Sequence, residues 1–197
     1  VTNPPIDPIR ESIVMSLGCW VGPEENLLAT PGPGHCRRLW LETPCLSPDE
    51  FAALSHAGEL KGWRIQVIES VFPRKEGPQA LERHLIRICQ EASRAVASGA
   101  QILVLSDRMV SSDKAAIPCL LAAGAVHQAL VNAKLRMNTA LIIDSGEPFV
   151  VAHHALLLTF GADAVCPYMA YEALHALREE GKTAEPDQKI FYNYQKA

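Results

Sequence analysis

Four short apolar runs, each followed by a stretch with helical periodicity, constrain the fold of this chain more than any other feature. The runs lie at residues 63–68, 101–105, 140–143 and 162–166. The longest helical stretch, residues 78–98, places its apolar side chains on one stripe and stops at Gly99. Helical connections of this length join parallel strands through right-handed crossovers. The pattern therefore predicts an α/β fold with a parallel sheet of βα units.

The last three predicted strands are apolar at almost every position, which indicates that both faces of the sheet are covered. Two further helices are expected over residues 117–134 and 150–160. Four βα units make half of an eight-stranded barrel, whose complete form needs about 250 residues. The pattern is compatible with an open, doubly wound sheet and with an incomplete barrel.

The first 62 residues differ from the rest because they contain eight of the 14 prolines. We expect a Pro-rich N-terminal arm with short helices that packs on a main domain of residues 63–197, so that the chain forms one structural unit. One helix is expected over residues 10–21. A second should begin after Ser47 as its N-cap, with a proline in the first helical position, and end near His56.

The arm is too apolar for a solvated linker, and its large apolar side chains should lie against other surfaces. These side chains include Leu27, Leu28, Leu39 and Trp40. The chain also begins at Val1 with a proline-rich loop and without a Met or a leader, which is typical of a segment excised from a longer polypeptide. We therefore expect exposed apolar patches where the arm would meet neighbouring domains.

Composition excludes several classes of protein. The 18 basic and 22 acidic residues give a net charge of −4, and no basic stripe is interleaved with aromatic residues, so no nucleic-acid partner is expected. No apolar run approaches the roughly 18 to 20 residues of a membrane span, so no membrane partner is expected either, and the chain is predicted to be soluble and intracellular. The six cysteines form no Cys-x-x-Cys pair and are expected to be buried free thiols.

Polar side chains follow the predicted strands at the edge where parallel α/β proteins bind ligands. The strand-end candidates are Ser106, Asp107, Arg108 and Glu147. Together they could clamp a small polar ligand or orient a proton transfer. The alternative is structural: Asp107, Asp144 and Ser145 would approach the helices that follow, and Arg108 would pair with a carboxylate. The structural interpretation is preferred, because no catalytic motif accompanies these residues.

No catalytic residue and no metal site are predicted. His153 and His154 are adjacent, so on a helix they point about 100° apart and cannot easily face one ion. A hydrogen-bonded structural role is expected for one of them, and an exposed or interface position for the other. A third interpretation, metal binding through both histidines and a cysteine, would require stoichiometric metal in the purified protein.

Several segments, taken in order, resemble the central domain of glutamate synthase, in either the large subunit of the NAD(P)H-dependent enzyme or the ferredoxin-dependent single chain. The matching segments are TNPPIDPIRE at 2–11, GPEENLL at 22–28, LVLSDR at 103–108, IP at 117–118 with GAVH at 124–127, SGE at 145–147 with HH at 153–154, and GADAVCPY at 161–168. No single segment is decisive, but the ordered set spans almost the whole chain.

This resemblance implies a connecting role. In the family, the central domain joins a glutamine amidotransferase domain to an FMN-binding synthase domain, and it is a degenerate relative of the flavin-binding barrel. The resemblance places Thr2 and Asn3 near the entrance of the internal ammonia tunnel. A closed tunnel keeps ammonia from protonating and escaping into water. The parent enzyme belongs to ammonia assimilation and glutamate biosynthesis, in the cytoplasm or a plastid.

The resemblance also implies which groups the parent enzyme uses: FMN, a 3Fe-4S cluster, and NAD(P)H or ferredoxin as electron donor. This segment is expected to bind none of them and to be inactive alone. Its partners would be the amidotransferase and FMN-binding domains. The rival interpretation is an autonomous small-molecule enzyme that uses Asp107, Arg108 and Glu147.

Overall fold

The computed structural model describes residues 16–197, apart from the side chains of residues 55 and 57–61. In chain order the elements are β1 (Cys19–Val21), β2 (Leu39–Leu41), α1 (Pro48–Lys61), β3 (Ile65–Glu69), β4 (Val71–Pro73), α2 (Ala80–Ala97), β5 (Ile102–Ser106), β6 (Lys114–Ala116), α3 (Cys119–Asn132), β7 (Ala140–Asp144), α4 (Val151–Thr159), β8 (Ala164–Cys166), α5 (Tyr168–Glu179) and α6 (Asp187–Lys196). Short 3-10 turns lie at Pro33–Cys36, Arg74–Glu76 and Arg136–Asn138.

The centre of the fold is a four-stranded parallel sheet in the order β3-β5-β7-β8. This confirms the predicted parallel α/β fold. The strands follow one another across the sheet as they do along the chain, without the reversal of order that marks a doubly wound sheet. Four consecutive units of a barrel have the same order, but this sheet is open, because β3 and β8 do not pair within the described part of the chain. The relation to a flavin-binding barrel stays a prediction.

The helices α2, α3 and α4 cover one face of the sheet. Their buried side chains, such as Ile88, Val126 and Leu157, pack with Leu103 and Ile143 of the central strands. The three helices lie within two residues of the ranges that periodicity predicts. Gly99, with φ of 95°, follows the end of α2 as expected for a helix stop.

The arm covers the other face. Val21, Leu46 and Leu54 form a second core with strand residues that include Ile102 and Ile142. Every residue of β5, β7 and β8 is buried, which confirms that these strands are covered on both sides. The arm thus lies on the face of the sheet opposite to the helices α2, α3 and α4.

One edge of the sheet is also covered by the arm. Cys45 forms a parallel bridge with Val165 of β8. The Val165 N–H donates to the Pro44 carbonyl at 2.8 Å, and the Leu46 N–H donates to the Val165 carbonyl at 2.8 Å. The arm therefore continues the sheet beyond β8 by two main-chain hydrogen bonds.

The arm differs from the sequence-based prediction at its start. Residues 19–21 form β1, paired antiparallel with β2, instead of the end of a helix, and the rest of that predicted helix before residue 16 lies outside the described residues. The reason is tertiary: Trp20 packs against Trp40 with ring centroids 5.0 Å apart, and Val21 is fully buried. Local apolar content alone could not indicate this pairing.

The helix predicted after Ser47 is present and is longer than expected. Ser47 caps it reciprocally with Glu50, because the Glu50 N–H donates to Ser47 Oγ at 3.3 Å and the Ser47 N–H donates to Glu50 Oε2 at 2.8 Å. The helix does not end near His56 but continues to Lys61. It stops at Gly62, whose φ of 69° lies in the left-handed region.

The exposure of the arm only partly matches the prediction. Leu27 and Leu28 are 89% and 96% exposed, and Trp40 is about half exposed. Leu39 is partly buried instead, because it packs on the second core. The arm thus exposes apolar side chains at the turn that contains Leu27 and Leu28, whereas Leu39 of β2 contributes to the core of the domain.

The cysteines are free in the described residues, which contain all six of them. Cys119 and Cys166 are buried, whereas Cys36 is exposed, so the prediction of burial fails for that thiol. Among residues 16–197, no helix is both long enough and apolar enough to cross a bilayer.

Candidate functional site

Arg108 and Asp144 form the centre of a polar network at the carboxyl ends of β5 and β7. Arg108 Nε donates to Asp144 Oδ2 at 2.7 Å and Arg108 Nη2 donates to Oδ1 at 2.9 Å, which is the bidentate geometry of a strong ion pair. Ser106 Oγ donates to Asp144 Oδ2 at 2.8 Å. Asp144 is 1% exposed, so both of its oxygens are used inside the protein.

Asp107 is engaged in the same way by a different set of donors. Ser145 Oγ donates to its Oδ2 at 2.5 Å, the Tyr168 hydroxyl donates to its Oδ1 at 2.7 Å, and the Gly146 N–H reaches Oδ1 at 3.2 Å. Asp107 is 3% exposed. The donors come from the loops after β7 and β8, so this carboxylate ties three neighbouring strand ends together.

We call Ser106, Asp107, Arg108, Asp144, Ser145 and Tyr168 the strand-end cluster. The Arg108 guanidinium lies over the Tyr168 ring, with its Cζ 4.3 Å from the ring centroid. The same Cζ lies 5.9 Å from the ring centroid of Phe51, which belongs to the arm. Burial, followed by the hydrogen bond to Asp107, raises the pKa of Tyr168. Burial, followed by the charge of Asp144, raises the pKa of the Cys166 thiol. The Tyr168 hydroxyl and the Cys166 thiol therefore stay protonated at neutral pH, so they are suited to donate hydrogen bonds and not to act as nucleophiles.

Glu147 adjoins the strand-end cluster through its N–H, which donates to Ser145 Oγ at 3.2 Å, but its carboxylate turns toward α3. Its Oε2 accepts a hydrogen bond at 2.8 Å from the N–H of Cys119, the first residue of α3, where the positive end of the helix dipole favours a carboxylate. Burial and then Glu147 raise the pKa of the Cys119 thiol to about 12. In the described part of the chain, Glu147 makes no hydrogen bond or ion pair with Asp107 or Arg108.

The structure thus brings Ser106, Asp107 and Arg108 together, whereas the carboxylate of Glu147 turns to the start of α3 instead of joining them. Asp144, which the structural interpretation already included, is the carboxylate that pairs with Arg108. Tyr168 was not among the candidates, although its place directly after β8 puts it at the same edge of the sheet. Thr2 and Asn3 lie outside the described residues.

No buried polar side-chain atom of the strand-end cluster lacks a hydrogen-bond partner within residues 16–197. The cavity next to Glu147, lined also by Cys119, His153 and Leu156, has a volume of about 190 Å³. Ligand pockets usually enclose about 300 to 1,000 Å³. A larger groove of about 810 Å³ lies elsewhere, along β3.

The two adjacent histidines have separate partners. His153 Nδ1 accepts a hydrogen bond from the Phe149 N–H at 3.2 Å, and His154 Nε2 lies 3.0 Å from the Tyr194 hydroxyl. Burial and the neighbouring His153 lower the pKa of His154. Within the part of the chain that the structure describes, no group of three or more His, Cys, Asp or Glu side chains could hold a metal ion.

Comparison with known proteins identifies the family. Residues 1–197, the whole chain, match the family described as the glutamate synthase central domain. The chain belongs to this family. The match confirms the family that the ordered sequence segments predicted.

Three curated relatives of this chain are much longer proteins. Glutamate synthase (NADH) of Schizosaccharomyces pombe is 47% identical over 178 residues, which are 90% of this chain and 8% of that protein. Ferredoxin-dependent glutamate synthase of Spinacia oleracea is 40% identical over 185 residues, 93% of this chain and 11% of that protein. The glutamate synthase (NADPH) large chain of Bacillus subtilis is 40% identical over 184 residues, 92% of this chain and 12% of that protein.

The central domain therefore spans only 8–12% of the length of these relatives. Their names cover NADH-, NADPH- and ferredoxin-dependent enzymes. The rival interpretation, an autonomous enzyme built on Asp107, Arg108 and Glu147, is not favoured, because the chain aligns with one segment of a larger enzyme.

Proposed function

We propose that this chain is the connecting domain of a glutamate synthase: it links a glutamine amidotransferase domain to an FMN-binding synthase domain and helps to wall the ammonia tunnel in glutamate biosynthesis. The observation that carries the proposal is the family match over residues 1–197, together with the small share of each relative that the match covers. The parent enzyme is an oxidoreductase, and this segment contributes structure to it.

The state of the strand ends supports a connecting role. In parallel α/β enzymes, ligands bind at this edge because helix N-termini and free backbone N–H groups converge there. Here the Asp107 N–H donates to the Asp144 carbonyl at 3.2 Å, and the Ser145 N–H donates to the Cys166 carbonyl at 3.1 Å. The Gly146 N–H is held by the Asp107 carboxylate. The donors that a ligand would use are already taken by protein acceptors.

For the same reason the residues at this edge do not fit the phosphate of a flavin. Two buried carboxylates, Asp107 and Asp144, lie where a phosphate would add two more negative charges. The cation of the strand-end cluster, Arg108, is already paired with Asp144. We therefore assign FMN, the 3Fe-4S cluster and the NAD(P)H or ferredoxin interaction to other parts of the parent enzyme, and no cofactor to this segment.

The arm supports a position between other domains. Leu27 and Leu28 lie at a turn of the arm and are almost fully exposed, and Trp40 is half exposed nearby in the chain. Large apolar side chains grouped on a surface are typical of interaction sites. We propose that residues 1–62 act as an arm on the domain of residues 63–197, that the two form one unit, and that the outer surface of the arm contacts the amidotransferase or FMN-binding domain of an intracellular enzyme of the cytoplasm or a plastid.

The tunnel assignment is tested in the full-length enzyme with Thr2→Val and Asn3→Ala. Ammonia made from glutamine must travel through the protein, whereas supplied ammonia enters from solvent. We expect both variants to lower glutamate formation from glutamine severalfold and to release free ammonia, with little change when ammonium salt is the nitrogen source. Thr183→Val, in the loop after α5, is the matched control. An equal loss with both nitrogen sources would contradict the assignment.

The connecting role is tested by assaying the 197-residue chain alone for glutamine hydrolysis and for glutamate formation. We expect neither activity, and we expect both from the full-length enzyme. Turnover by the chain alone would refute a purely connecting domain and restore the autonomous alternative.

A further inference from the structure

The two edge strands of the parallel sheet, β8 and β3, differ in whether another segment pairs with them. Beyond β8, the arm adds Cys45 by a parallel bridge, as described above. Beyond β3, no strand or bridge follows within residues 16–197. β3 is Ile-Gln-Val-Ile-Glu and carries no Lys, Pro or bulge, the usual devices that keep an edge strand from pairing with another chain.

The backbone of β3 offers hydrogen-bonding groups to a further strand. Ile102 N–H donates to the Arg64 carbonyl at 3.3 Å and Ser70 N–H donates to the Ser106 carbonyl at 2.8 Å, so the even-numbered residues between 64 and 70 face β5. The alternating ladder therefore turns the backbone groups of Ile65, Val67 and Glu69 away from the sheet.

Two of these outward groups are satisfied locally. The Val67 carbonyl accepts from Gln66 Nε2 at 2.9 Å, and the Glu69 carbonyl accepts from Arg87 Nη2 at 2.8 Å. The N–H groups of Ile65, Val67 and Glu69 and the Ile65 carbonyl have no partner among the described residues. An extended peptide is the ligand that can meet a row of such groups.

A groove runs along this edge. Its volume is about 810 Å³, and it is lined by β3, by Arg94 and Ala95 of the last turns of α2, and by Ser98, which follows α2. Val67 also lines the groove and is 52% exposed. Val67 shares a face of the strand with Ile65, whose side chain packs on the core beneath the arm, so the arm stops short of Val67.

The charge around the groove is positive. Glu91 is paired with Arg87 at 3.0 Å. Arg64 and Arg94 are exposed and have no ion-pair partner among the described side chains, which do not include those of residues 55 and 57–61. A strand that fills the groove would gain from one acidic side chain near these two guanidinium groups.

We propose that an extended segment of the parent polypeptide, from outside these 197 residues, adds as a strand to the free edge of β3, with an apolar side chain against Val67 and an acidic one near Arg64 or Arg94. The inference rests on the proposed function, because it takes the occupant from the rest of a glutamate synthase. Since the match covers 8–12% of the relatives, most of each relative lies outside it and can supply the segment.

The test uses the full-length enzyme with Val67 replaced by the photoreactive residue p-benzoylphenylalanine. The matched control places the same residue at Val131 of α3, which is 43% exposed but lies on a helix with no free strand edge. Illumination and mass spectrometry identify the cross-linked peptide. We expect a product from position 67 that joins β3 to an acidic and apolar segment outside the 197 residues, and no such product from position 131.

Hydrogen exchange of the unsubstituted enzyme, resolved to single amides, gives a second readout. Pairing would slow exchange of the Val67 amide by about tenfold or more relative to an unpaired strand edge, toward the rate of Ile68, which faces β5. Rapid exchange at Val67 without a cross-link, a cross-link to residues 1–15 or to a second copy, or the same product from both positions would overturn the proposal. Glutamate formation from glutamine is measured in the same preparation. A fully active enzyme with an open β3 edge would refute this inference alone, whereas an inactive one would count against the proposed function.

Discussion

The two ends of the parallel sheet each carry a charged network, and only the carboxyl end coincides with the place where such folds bind ligands. At the amino end, Arg136 donates to the Thr139 carbonyl at 2.7 Å, to the Gly161 carbonyl at 2.8 Å and to Asp163 Oδ2 at 2.8 Å. Its Nε also donates to His127 Nδ1 at 3.1 Å. One guanidinium thus fastens α3 to the starts of β7 and β8.

At the carboxyl end the charges are exchanged: buried carboxylates are at the centre of the network, and they accept hydrogen bonds from donors in several segments. Its carboxylate is also the more buried: the Asp144 side chain is 2% exposed against 31% for Asp163, although Arg108 is 44% exposed and Arg136 is 16% exposed. Both networks are internally paired. Charge at the carboxyl edge is therefore no sign of chemistry by itself, and its removal should cost more stability there than at the amino end.

The largest effect is expected from Arg108→Met. The substitution leaves the buried Asp144 without its cation, which should lower the free energy of unfolding by about 3 to 5 kcal/mol. Arg108→Lys keeps the charge but loses the bidentate geometry, so it should cost less. Chemical denaturation of both variants gives the values. A stable Arg108→Met protein that no longer binds a keto acid or phosphate would instead favour a ligand site at this end.

A smaller loss, about 2 to 4 kcal/mol, is expected at the amino end from Gly161→Ala. Gly161 has φ of 103°, and an added Cβ would lie 2.1 Å from His127 Nδ1, which accepts from Arg136. Gly181→Ala is the matched control, because Gly181 also has a positive φ, 72°, but nothing lies within 4 Å of its Cβ. Thermal unfolding of the two variants separates crowding from backbone strain. Equal losses would mean that the amino-end network yields readily to an added methyl group.

Tyr168→Phe tests one donor of the carboxyl end. It removes the 2.7 Å hydrogen bond to Asp107 while keeping the ring beside Arg108. Hydrogen bonds to charged groups contribute about 1.5 to 3 kcal/mol, and we expect a loss near the lower limit because Ser145 and Gly146 still donate to Asp107. Tyr192→Phe, at a residue that is 51% exposed, should leave the unfolding free energy almost unchanged. Similar losses from both would show that Asp107 does not depend on Tyr168.

The same comparison explains what the sequence could predict. Strands such as β5 and β7 were predictable because continuous apolar runs between helical stretches have few alternatives to a buried parallel strand. The strand ends predicted from the sequence already showed that the carboxyl end is polar. The ion pair between Arg108 and Asp144 was not predictable, because it depends on the register of β5 and β7, which places Ser106 next to Asp144.

Features made by distant segments were out of reach. β1 is three residues long and forms because Trp20 and Trp40 pack together across the arm. The cover over β8 comes from residue 45, far along the chain from Val165. Neither feature leaves a periodic pattern, since each depends on tertiary contacts that no local window contains. The direction of the Glu147 side chain was out of reach for a related reason: a strand-end carboxylate can turn either toward its neighbours or toward a helix start, here that of α3.

The smallest effect concerns pH at the amino end. Burial and then the charge of Arg136 lower the pKa of His127. An unfolded histidine has a pKa of about 6.5, so as the pH falls through that value the unfolded chain takes up a proton that the folded chain resists, and stability is lost until the pH reaches the lowered pKa of the folded state. In His127→Gln this contribution disappears, while the similar contribution of His154 remains.

We therefore expect the wild-type free energy of unfolding to decrease more than that of His127→Gln between about pH 7.5 and pH 5.5, measured by denaturant titration at each pH. The glutamine carbonyl can still accept from Arg136, so the two proteins should be similar near pH 7.5. If the difference in unfolding free energy between the two proteins did not change with pH, Arg136 would have to turn away so that His127 could become protonated beside it. The three other acceptors of Arg136, which are the Thr139 and Gly161 carbonyls and Asp163, hold it in place and argue against such a movement. The amino end would then be the more adaptable network, in line with the greater exposure of Asp163 in comparison with the buried Asp144 at the opposite end.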